Sequence, residues 1–219
     1  AYETAVTLWT DTIRTQPDDA MAHYNLGVAL VESGRPAAEA MPRFEEALRL
    51  DPGHAGALDN LGLVLLRQRR FDEARARFER ALAADPENAV ALNNLGALEL
   101  DLRRPAAAIP FFERALAAEP ELSKAIVHRN LGKALVAVGR PEPGLGHLDR
   151  AVRLDPDDPE AQNGRGAALL ALGKPAAAVP AFETALRLAP DDAGIESNLA
   201  TALLQSGRVE DAAEHLRHV

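Results

Sequence analysis

A pattern of about 34 residues repeats along the whole chain, and this period constrains the fold more than any other feature of the sequence. A proline closes each period, and successive closing prolines are separated by 35, 34, 34, 36 and 34 residues. They are Pro17, Pro52, Pro86, Pro120, Pro156 and Pro190. Such a period predicts one array of units in which each unit contacts only its neighbours.

The unit is clearest between Ala89 and Pro120. Apolar residues spaced at three and four predict two amphipathic helices, over residues 89–102 and 105–118. A Leu-Gly pair marks the first helix, and an Ala-x3-Phe motif marks the second. The pair recurs as Leu26-Gly27, Leu61-Gly62, Leu95-Gly96 and Leu131-Gly132, and the motif as Ala40/Phe44, Ala74/Phe78, Ala108/Phe112 and Ala178/Phe182.

This combination of Leu-Gly, Ala-x3-Phe and Pro at a 34-residue period resembles the tetratricopeptide repeat. The resemblance covers essentially all 219 residues. It implies an all-α fold, an α-solenoid in which antiparallel helix pairs stack into a right-handed superhelix. We therefore expect a single array of 13 helices over residues 1–219: a half repeat (1–18), five full repeats (20–52, 55–86, 89–120, 125–156 and 159–190) and a clipped repeat (193–219).

The sequence from Pro141 to Gly166 is the least regular part of the array. Leu148 stands where the other second helices have Phe, and Gly144 and Gly164 stand where Ala and Asn are usual. Glycine lowers helix propensity by about 1 kcal/mol relative to Ala. We expect lower local stability here, either as tolerated sequence drift or as a hinge.

Charge and composition exclude several classes of partner. The net charge of −9 and the lack of clustered cations argue against DNA or RNA. The absence of Cys excludes disulfides and thiolate metal sites. No run of 18 apolar residues occurs, so we expect no direct membrane insertion in this segment.

No catalytic motif is present, and we predict a protein that is not an enzyme and needs no cofactor or metal. Gly164-Arg165-Gly166 is too short for a dinucleotide fingerprint, and neither G-x-S-x-G nor H-E-x-x-H occurs. His215 and His218 are three apart on a helix, but two histidines without a third ligand make a weak metal site. His23 and His128 occupy a repeat position that packs between helices, which favours structural roles.

Asparagine recurs just before the Leu-Gly pair. This Asn ladder is Asn25, Asn60, Asn94, Asn130 and Asn198, with Gly164 in the remaining unit. An amide offers one acceptor and two donors, which suit the C=O and N–H groups of an extended peptide. Similar ladders line the concave face in the repeat arm of O-linked N-acetylglucosamine transferases, and this resemblance implies binding of extended polypeptide. Alternatively, each Asn bonds a neighbouring helix and serves the scaffold.

The position before the ladder should line the same concave groove. It holds Tyr24, Asp59, Asn93, Arg129, Asn163 and Ser197. Arg129 and Lys133 form one cationic step that suggests docking of a carboxylate. The predicted peptide-binding residues are Asn25, Asn60, Asn94, Asn130, Asn198, Tyr24, Asn93, Arg129, Lys133 and Asn163.

Residues 2–30 show a second resemblance, carried by Tyr2, Leu8-Trp9, Asp11, Pro17, His23 and Asn25-Leu26-Gly27. They look like the junction at which repeats follow the transmembrane part of bacterial membrane proteins related to protein O-mannosyltransferases. This resemblance implies a soluble tail outside the cytoplasm that offers protein substrates to a membrane active site. Without it, the cytoplasm is the default location.

The favoured function is therefore a non-catalytic protein–protein interaction module that binds an extended peptide or partner segment in its concave groove. One alternative is a substrate-recognition arm of a (membrane) glycosyltransferase. Another is a structural, self-assembling scaffold. Leu8 and Trp9 lack a preceding helix, so apolar ends are expected, and they predict weak end-to-end self-association.

Overall fold

The structure, a computed structural model, describes residues 2–118 and 124–215, with side chains from Thr4 onward. Pro120 and His218 lie outside the described residues, as does the side chain of Tyr2. In the described ranges the chain forms 13 α-helices and no strand. They are α1 (Tyr2–Thr15), α2 (Ala20–Glu32), α3 (Ala37–Leu50), α4 (Ala55–Arg67), α5 (Phe71–Ala84), α6 (Ala89–Asp101), α7 (Pro105–Ala118), α8 (Lys124–Ala137), α9 (Pro141–Leu154), α10 (Pro159–Ala171), α11 (Pro175–Leu188), α12 (Ala193–Gln205) and α13 (Val209–His215).

The chain divides within α6 into two compact units, unit 1 ending at Leu98 and unit 2 beginning at Glu99. In unit 1, α1 packs on α2, α2 on α3, α3 on α4 and α4 on α5, and the first helices α2 and α4 also touch. In unit 2, α7 to α13 pack in the same consecutive manner, with further contacts of α10 with α8 and α12. The predicted all-α solenoid of helix pairs is confirmed.

Five first helices, α2, α4, α6, α10 and α12, begin at a residue whose side chain caps their backbone N–H groups. Asp19 Oδ1 accepts from Ala22 N at 3.0 Å, and Asn88 Oδ1 accepts from Ala91 N at 2.9 Å. Equivalent caps are made by the His54 ring and by the carboxylates of Asp158 and Asp192. Such caps satisfy donors that the helix itself leaves unpaired. The carboxylates of Asp19, Asp158 and Asp192 therefore have structural roles as helix caps.

In the pairs α2/α3, α4/α5, α8/α9 and α10/α11, a second-helix side chain fills the space above a first-helix glycine. The rings of Phe44, Phe78, Phe112 and Phe182 are fully buried. A Cβ added to Gly27 would lie 2.5 Å from Phe44 Cε1, and one added to Gly166 would lie 2.6 Å from Phe182 Cε1. Because a Cβ has no room there, the Leu-Gly pair and the Ala-x3-Phe motif depend on each other.

The irregular region keeps this geometry with different residues. Leu148 is fully buried in the Phe position, and α9 is helical throughout Pro141–Leu154. A Cβ on Gly144 would lie 2.8 Å from Val136 Cγ2, and one on Gly164 would lie 2.7 Å from Leu148 Cδ2. Close packing of the helices therefore explains why glycine occupies both positions. The lower stability of this region stays a prediction.

Two histidines meet inside the pair formed by α8 and α9. The Nδ1 atoms of His128 and His147 are 2.9 Å apart, so one ring must donate and the other accept. Burial, and after it the positive charges of His147, Arg150 and other nearby cations, lowers the pKa of His128 to about 4. His23 lies 5% exposed with its Nε2 3.0 Å from the Pro17 carbonyl oxygen. Both predicted structural histidines thus lie between helices.

The turn inside each helix pair places one residue in the left-handed region. Glycine holds this position in four turns, but Arg69 has φ 59° and Arg103 has φ 60°. This conformation costs a non-glycine residue about 1–2 kcal/mol.

We expect Arg103→Gly to raise the free energy of unfolding by about 1 kcal/mol, measured by urea denaturation. Gly139→Ala is the matched control, at an uncrowded turn with φ 77°. It should lower the free energy of unfolding by a similar amount. A destabilised Arg103→Gly variant would contradict this account.

The histidine pair should make stability depend on pH. Because the folded pKa of His128 is about 4, below the usual 6.5, the unfolded chain binds more protons between these values. The unfolding free energy should therefore be constant above about pH 6.5 and fall as the pH drops towards 4. The loss should be about 1 kcal/mol, allowing for solvent screening of this half-buried pair. Chemical denaturation of the His128→Gln/His147→Gln double variant at pH 7 and pH 4.5 should show a smaller difference than the parent, and an unchanged difference would refute the assignment.

Candidate functional site

The Asn ladder lies at one register of the first helices, but its members have different surroundings. In unit 1, Asn25 and Asn60 are both half-buried. Asn60 Nδ2 donates to the Gly56 carbonyl oxygen at 2.9 Å within the same helix, and its Oδ1 accepts from no described residue. The Asn25 amide forms no hydrogen bond with any residue that the structure describes. Asn25 and Asn60 therefore retain hydrogen-bonding groups for a ligand.

The other three members of the ladder are less available. Asn94 is only 6% exposed, and its Nδ2 is buried without a hydrogen-bond partner in the described ranges. Asn130 is 8% exposed, and its Oδ1 lies 3.4 Å from Arg129 Nε. Asn198 Nδ2 donates to Asn163 Oδ1 at 3.0 Å, which joins α12 to α10. Burial or an existing partner thus limits what Asn94, Asn130 and Asn198 offer to a ligand.

Three residues at the position before the ladder, Tyr24, Asp59 and Arg129, contact the residue that caps the next first helix. The rings of Tyr24 and His54 are 4.6 Å apart between centroids, and the Asp59 carboxylate forms a hydrogen bond with Asn88. In unit 2, Arg129 makes the equivalent contact. These cross-repeat braces join residues 29 or 30 apart in sequence. The capping partners were not predicted, although this spacing is visible in the sequence.

Both cations of the predicted carboxylate site are already paired with carboxylates. Arg129 Nη1 lies 2.7 Å from Asp158 Oδ2, and Lys133 Nζ lies 2.8 Å from Glu160 Oε2. A hydrogen bond from Lys133, and then the charges of Lys133 and Arg129, hold the pKa of Glu160 below its usual range. A ligand carboxylate would have to compete with Asp158 and Glu160. Docking of an acidic group at this step stays a prediction.

Large apolar side chains lie exposed one helical turn before the ladder. Met21 is 53% exposed, Val90 is 48% exposed and Ile126 is 50% exposed. On the other side of the ladder, Val28 and Leu63 are half-buried, and Asn93 is half-buried next to Asn94. The face of unit 1 thus combines amide groups with apolar surface.

The described residues contain no cluster of three or more metal-ligating side chains. His215 Nδ1 lies 3.4 Å from Glu196 Oε1 on the neighbouring helix. Across the same part of the chain, no helix has the length and hydrophobicity needed to cross a bilayer.

Solved structures with the same architecture identify the fold. The tetratricopeptide repeat protein YrrB, described as having an unusual peptide-binding site, has 22% identity and a TM-score of 0.63, over 91% of this chain and 97% of its own. The type IV pilus biogenesis factor PilW has 22% identity and a TM-score of 0.80, over 90% of each chain. Cut9 in its hetero-tetramer with Hcn1 has 19% identity and a TM-score of 0.85, over 92% of this chain but 40% of that one. At these identities the likeness shows the fold alone.

Family models extend this result to the sequence, although no curated protein sequence matches the chain. A model described as tetratricopeptide repeat matches residues 60–123 and 129–193. Two further models with the same description match residues 18–87 and 169–219. This fold supports protein–protein interaction, and the repeat is generally a non-catalytic scaffold. Because one model alone covers more than half of the sequence, the chain belongs to the tetratricopeptide repeat family.

Proposed function

We propose that this protein binds an extended segment of a partner protein along the first helices of unit 1. The unit 1 face is defined here by its residues in three first helices: Met21, Tyr24, Asn25, Val28, Asp59, Asn60, Leu63, Val90 and Asn93. The observation that carries the proposal is that the Asn25 amide and Asn60 Oδ1 retain hydrogen-bonding capacity at equivalent positions of adjacent repeats.

The usual separation of packed helices suits an extended backbone that lies across Asn25 and Asn60. Packed helices lie about 8–10 Å apart, and an extended chain rises about 3.3 Å per residue. One repeat therefore corresponds to about three residues of the ligand. The Asn25 amide can donate to one peptide carbonyl, and Asn60 Oδ1 can accept from a peptide N–H further along. Such hydrogen bonds recognise the peptide backbone and depend little on the side chains of the ligand.

The remaining predicted residues have supporting roles in this proposal. Arg129 and Asn163 hold neighbouring repeats of unit 2 together through Asp158 and Asn198. Tyr24 makes the equivalent brace to His54 in unit 1. Each brace ties a first helix to the following repeat and so fixes the spacing of the face that the ligand meets.

The similarity to YrrB, a tetratricopeptide repeat protein with an unusual peptide-binding site, supports a peptide as the class of ligand. The resemblance to glycosyltransferase repeat arms, the O-mannosyltransferase-like junction, the cellular location and the weak self-association stay predictions. Leu8 is 58% exposed, which supports an apolar surface on α1.

The unit 1 face carries a single titratable carboxyl, and it is shielded from solvent. Asp59 is 6% exposed, and its Oδ1 is buried without a partner in the described part of the chain. Burial raises the pKa of Asp59 to about 6, while the hydrogen bond with Asn88 acts in the opposite direction. Among the nine residues of this face the polar groups offered to a ligand are therefore amides, and exposed charges follow one to two turns later at Glu32 of α2 and Arg67 of α4.

We expect the Asn25→Ala/Asn60→Ala double variant to weaken peptide binding about tenfold, because two sets of backbone hydrogen bonds are lost. The probe is a peptide selected from a random 12-residue library on the full chain, and the measurement is isothermal titration calorimetry. Asn198→Ala is the matched control: it should lower the thermal midpoint and leave affinity unchanged, since its amide bonds Asn163. If the double variant loses stability but keeps its affinity, the amides belong to the scaffold and the proposal is wrong.

We expect Asp59→Asn to stabilise the protein at neutral pH. The folded pKa of about 6 lies above the usual 3.8, so the Asp59 contribution to stability is complete below about pH 3.8 and is lost as the pH rises through 6. Asn keeps the hydrogen-bonding capacity towards Asn88 and removes the charge. Urea denaturation should give a gain of about 1–2 kcal/mol at pH 7.5 and little gain at pH 4. Asp101→Asn, at an exposed carboxyl of α6, is the control and should not change the unfolding free energy at either pH. A gain for Asp59→Asn that does not change with pH would contradict the assignment to burial of the carboxylate.

A further inference from the structure

We infer that a cavity formed by α1, α2 and α3 binds an acidic side chain of a partner protein, flanked by an apolar side chain. The cavity shares no residue with the unit 1 face, so this inference goes beyond the proposed function. Two observations carry it: α1 lacks an acidic residue that the second helices of the full repeats have, and the cavity lies at that position.

An acidic residue directly follows the Phe position in the second helices of all five full repeats. These residues are Glu45, Glu79, Glu113, Asp149 and Glu183. Trp9 stands in the Phe position of α1, so Thr10 is the equivalent residue there. The α1 helix therefore follows the repeat pattern but carries a hydroxyl group in place of the carboxylate.

A cation directly follows the left-handed residue in each turn inside a helix pair. These cations are Arg35, Arg70, Arg104, Arg140, Lys174 and Arg208. Arg208 Nη1 lies 3.9 Å from Glu183 Oε1 of the preceding second helix. A hydrogen bond from Glu73, and then the charges of Glu73 and Glu45, raise the pKa of Arg70. The turn cation thus lies near the acidic group of the preceding second helix in these two repeats.

A cavity of about 380 Å³ lies between Thr10 and Arg35, the residues at these two positions in the first turn. Its volume falls in the range of ligand-binding clefts, about 300–1,000 Å³. In the next repeat, the longer side chains of Met41 and Glu45 replace Val6 and Thr10. The apolar part of the lining is made by Val6, Leu26, Leu30, Ala38 and Pro42.

The lining carries two guanidinium groups and one carboxylate. Arg35 Nη1 lies 3.5 Å from Glu39 Oε2, and both side chains are about half exposed. Exposed pairs of this kind are weak because water screens them, so a ligand carboxylate can share Arg35 with Glu39. Arg43, the second cation of the lining, forms no ion pair with any residue that the structure describes. A ligand carboxylate therefore meets more positive than negative charge.

Three nearby carboxylates lie outside the lining. Asp11 follows Thr10 in the sequence, and its Oδ1 lies 3.1 Å from Arg14 Nη2. Glu46 Oε1 lies 2.7 Å from Arg49 Nη2. Glu32 is exposed near the end of α2. These groups act on the cavity from outside and do not occupy the place of the ligand carboxylate.

An acidic side chain with an apolar neighbour matches both parts of the lining. Its carboxylate can accept charge-assisted hydrogen bonds from Arg35 and Arg43, and the apolar neighbour can pack on Leu26 and Leu30. A basic side chain would instead meet the like charges of the two guanidinium groups. Because the repeat supports protein–protein interaction, we assign the acidic group to a partner protein.

The test titrates the full chain with two blocked tripeptides, acetyl-Leu-Glu-Leu-amide and acetyl-Leu-Gln-Leu-amide. Nuclear magnetic resonance follows the methyl signals of Val6, Leu26 and Leu30. We expect saturable shifts with the Glu peptide and at least fivefold weaker binding of the Gln peptide, because the ionic hydrogen bonds are lost. Arg43→Gln should weaken binding of the Glu peptide several-fold and leave the Gln peptide unchanged.

Thr10→Glu supplies the acidic group that the other second helices have. This variant should keep or raise the thermal midpoint of the parent and weaken binding of the Glu peptide about tenfold, since its carboxylate competes for Arg35. Thr15→Glu is the matched control: it adds the same charge to α1 outside the cavity and should leave the affinity unchanged.

Asn25→Ala/Asn60→Ala should also leave the affinity for the Glu peptide unchanged, because neither residue lines the cavity. Equal binding of the two peptides, the absence of methyl shifts, or a Thr10→Glu variant that binds like the parent would each overturn this inference. Each of these results would leave the proposed function standing, since the unit 1 face is tested with its own variants.

Discussion

The packing of a second-helix side chain against a first-helix glycine is the contact on which the helix pairs depend. Phe44 fills the space above Gly27, and Phe182 fills the space above Gly166. Because the ring occupies the place of a Cβ, the two helices come close enough to bury it completely. Where Leu148 replaces Phe in the fourth repeat, Gly132 and Gly144 bring the helices together, and the volume stays filled.

Regular helix pairs place equivalent side chains at equivalent positions, and this regularity creates the candidate binding face. Within unit 1, the glycine–phenylalanine contacts fix the packing of the two helices in each pair. The braces from Tyr24 to His54 and from Asp59 to Asn88 fix the position of one pair against the next. The amides and apolar side chains that remain unused after these contacts are available to a partner. Binding residues are thus distinguished from scaffold residues by what their neighbours leave unsatisfied.

The period and the motif residues were sufficient to predict the helices and their pairing. The register of the ladder was also predictable, because it follows from counting residues within a repeat. The sequence did not predict which side chains already have hydrogen-bond partners. The partner of Asn198 is Asn163, 35 residues away, and the partner of Arg129 is a capping carboxylate. Such choices depend on side-chain rotamers and on the distance between adjacent first helices, which spacing alone does not give. The same limit applies to His147, whose contact with His128 follows from the close approach of α8 and α9.

The proposed interaction places a partner segment along the first helices of unit 1. The most direct measurement is a nuclear magnetic resonance titration that follows the side-chain amide signals of asparagines and the methyl signals of methionine, valine and leucine as a selected peptide is added. We expect the largest shifts at Asn25, Asn60, Met21 and Val90. Shifts concentrated on the second helices α3 and α5, with those four residues unaffected, would contradict it.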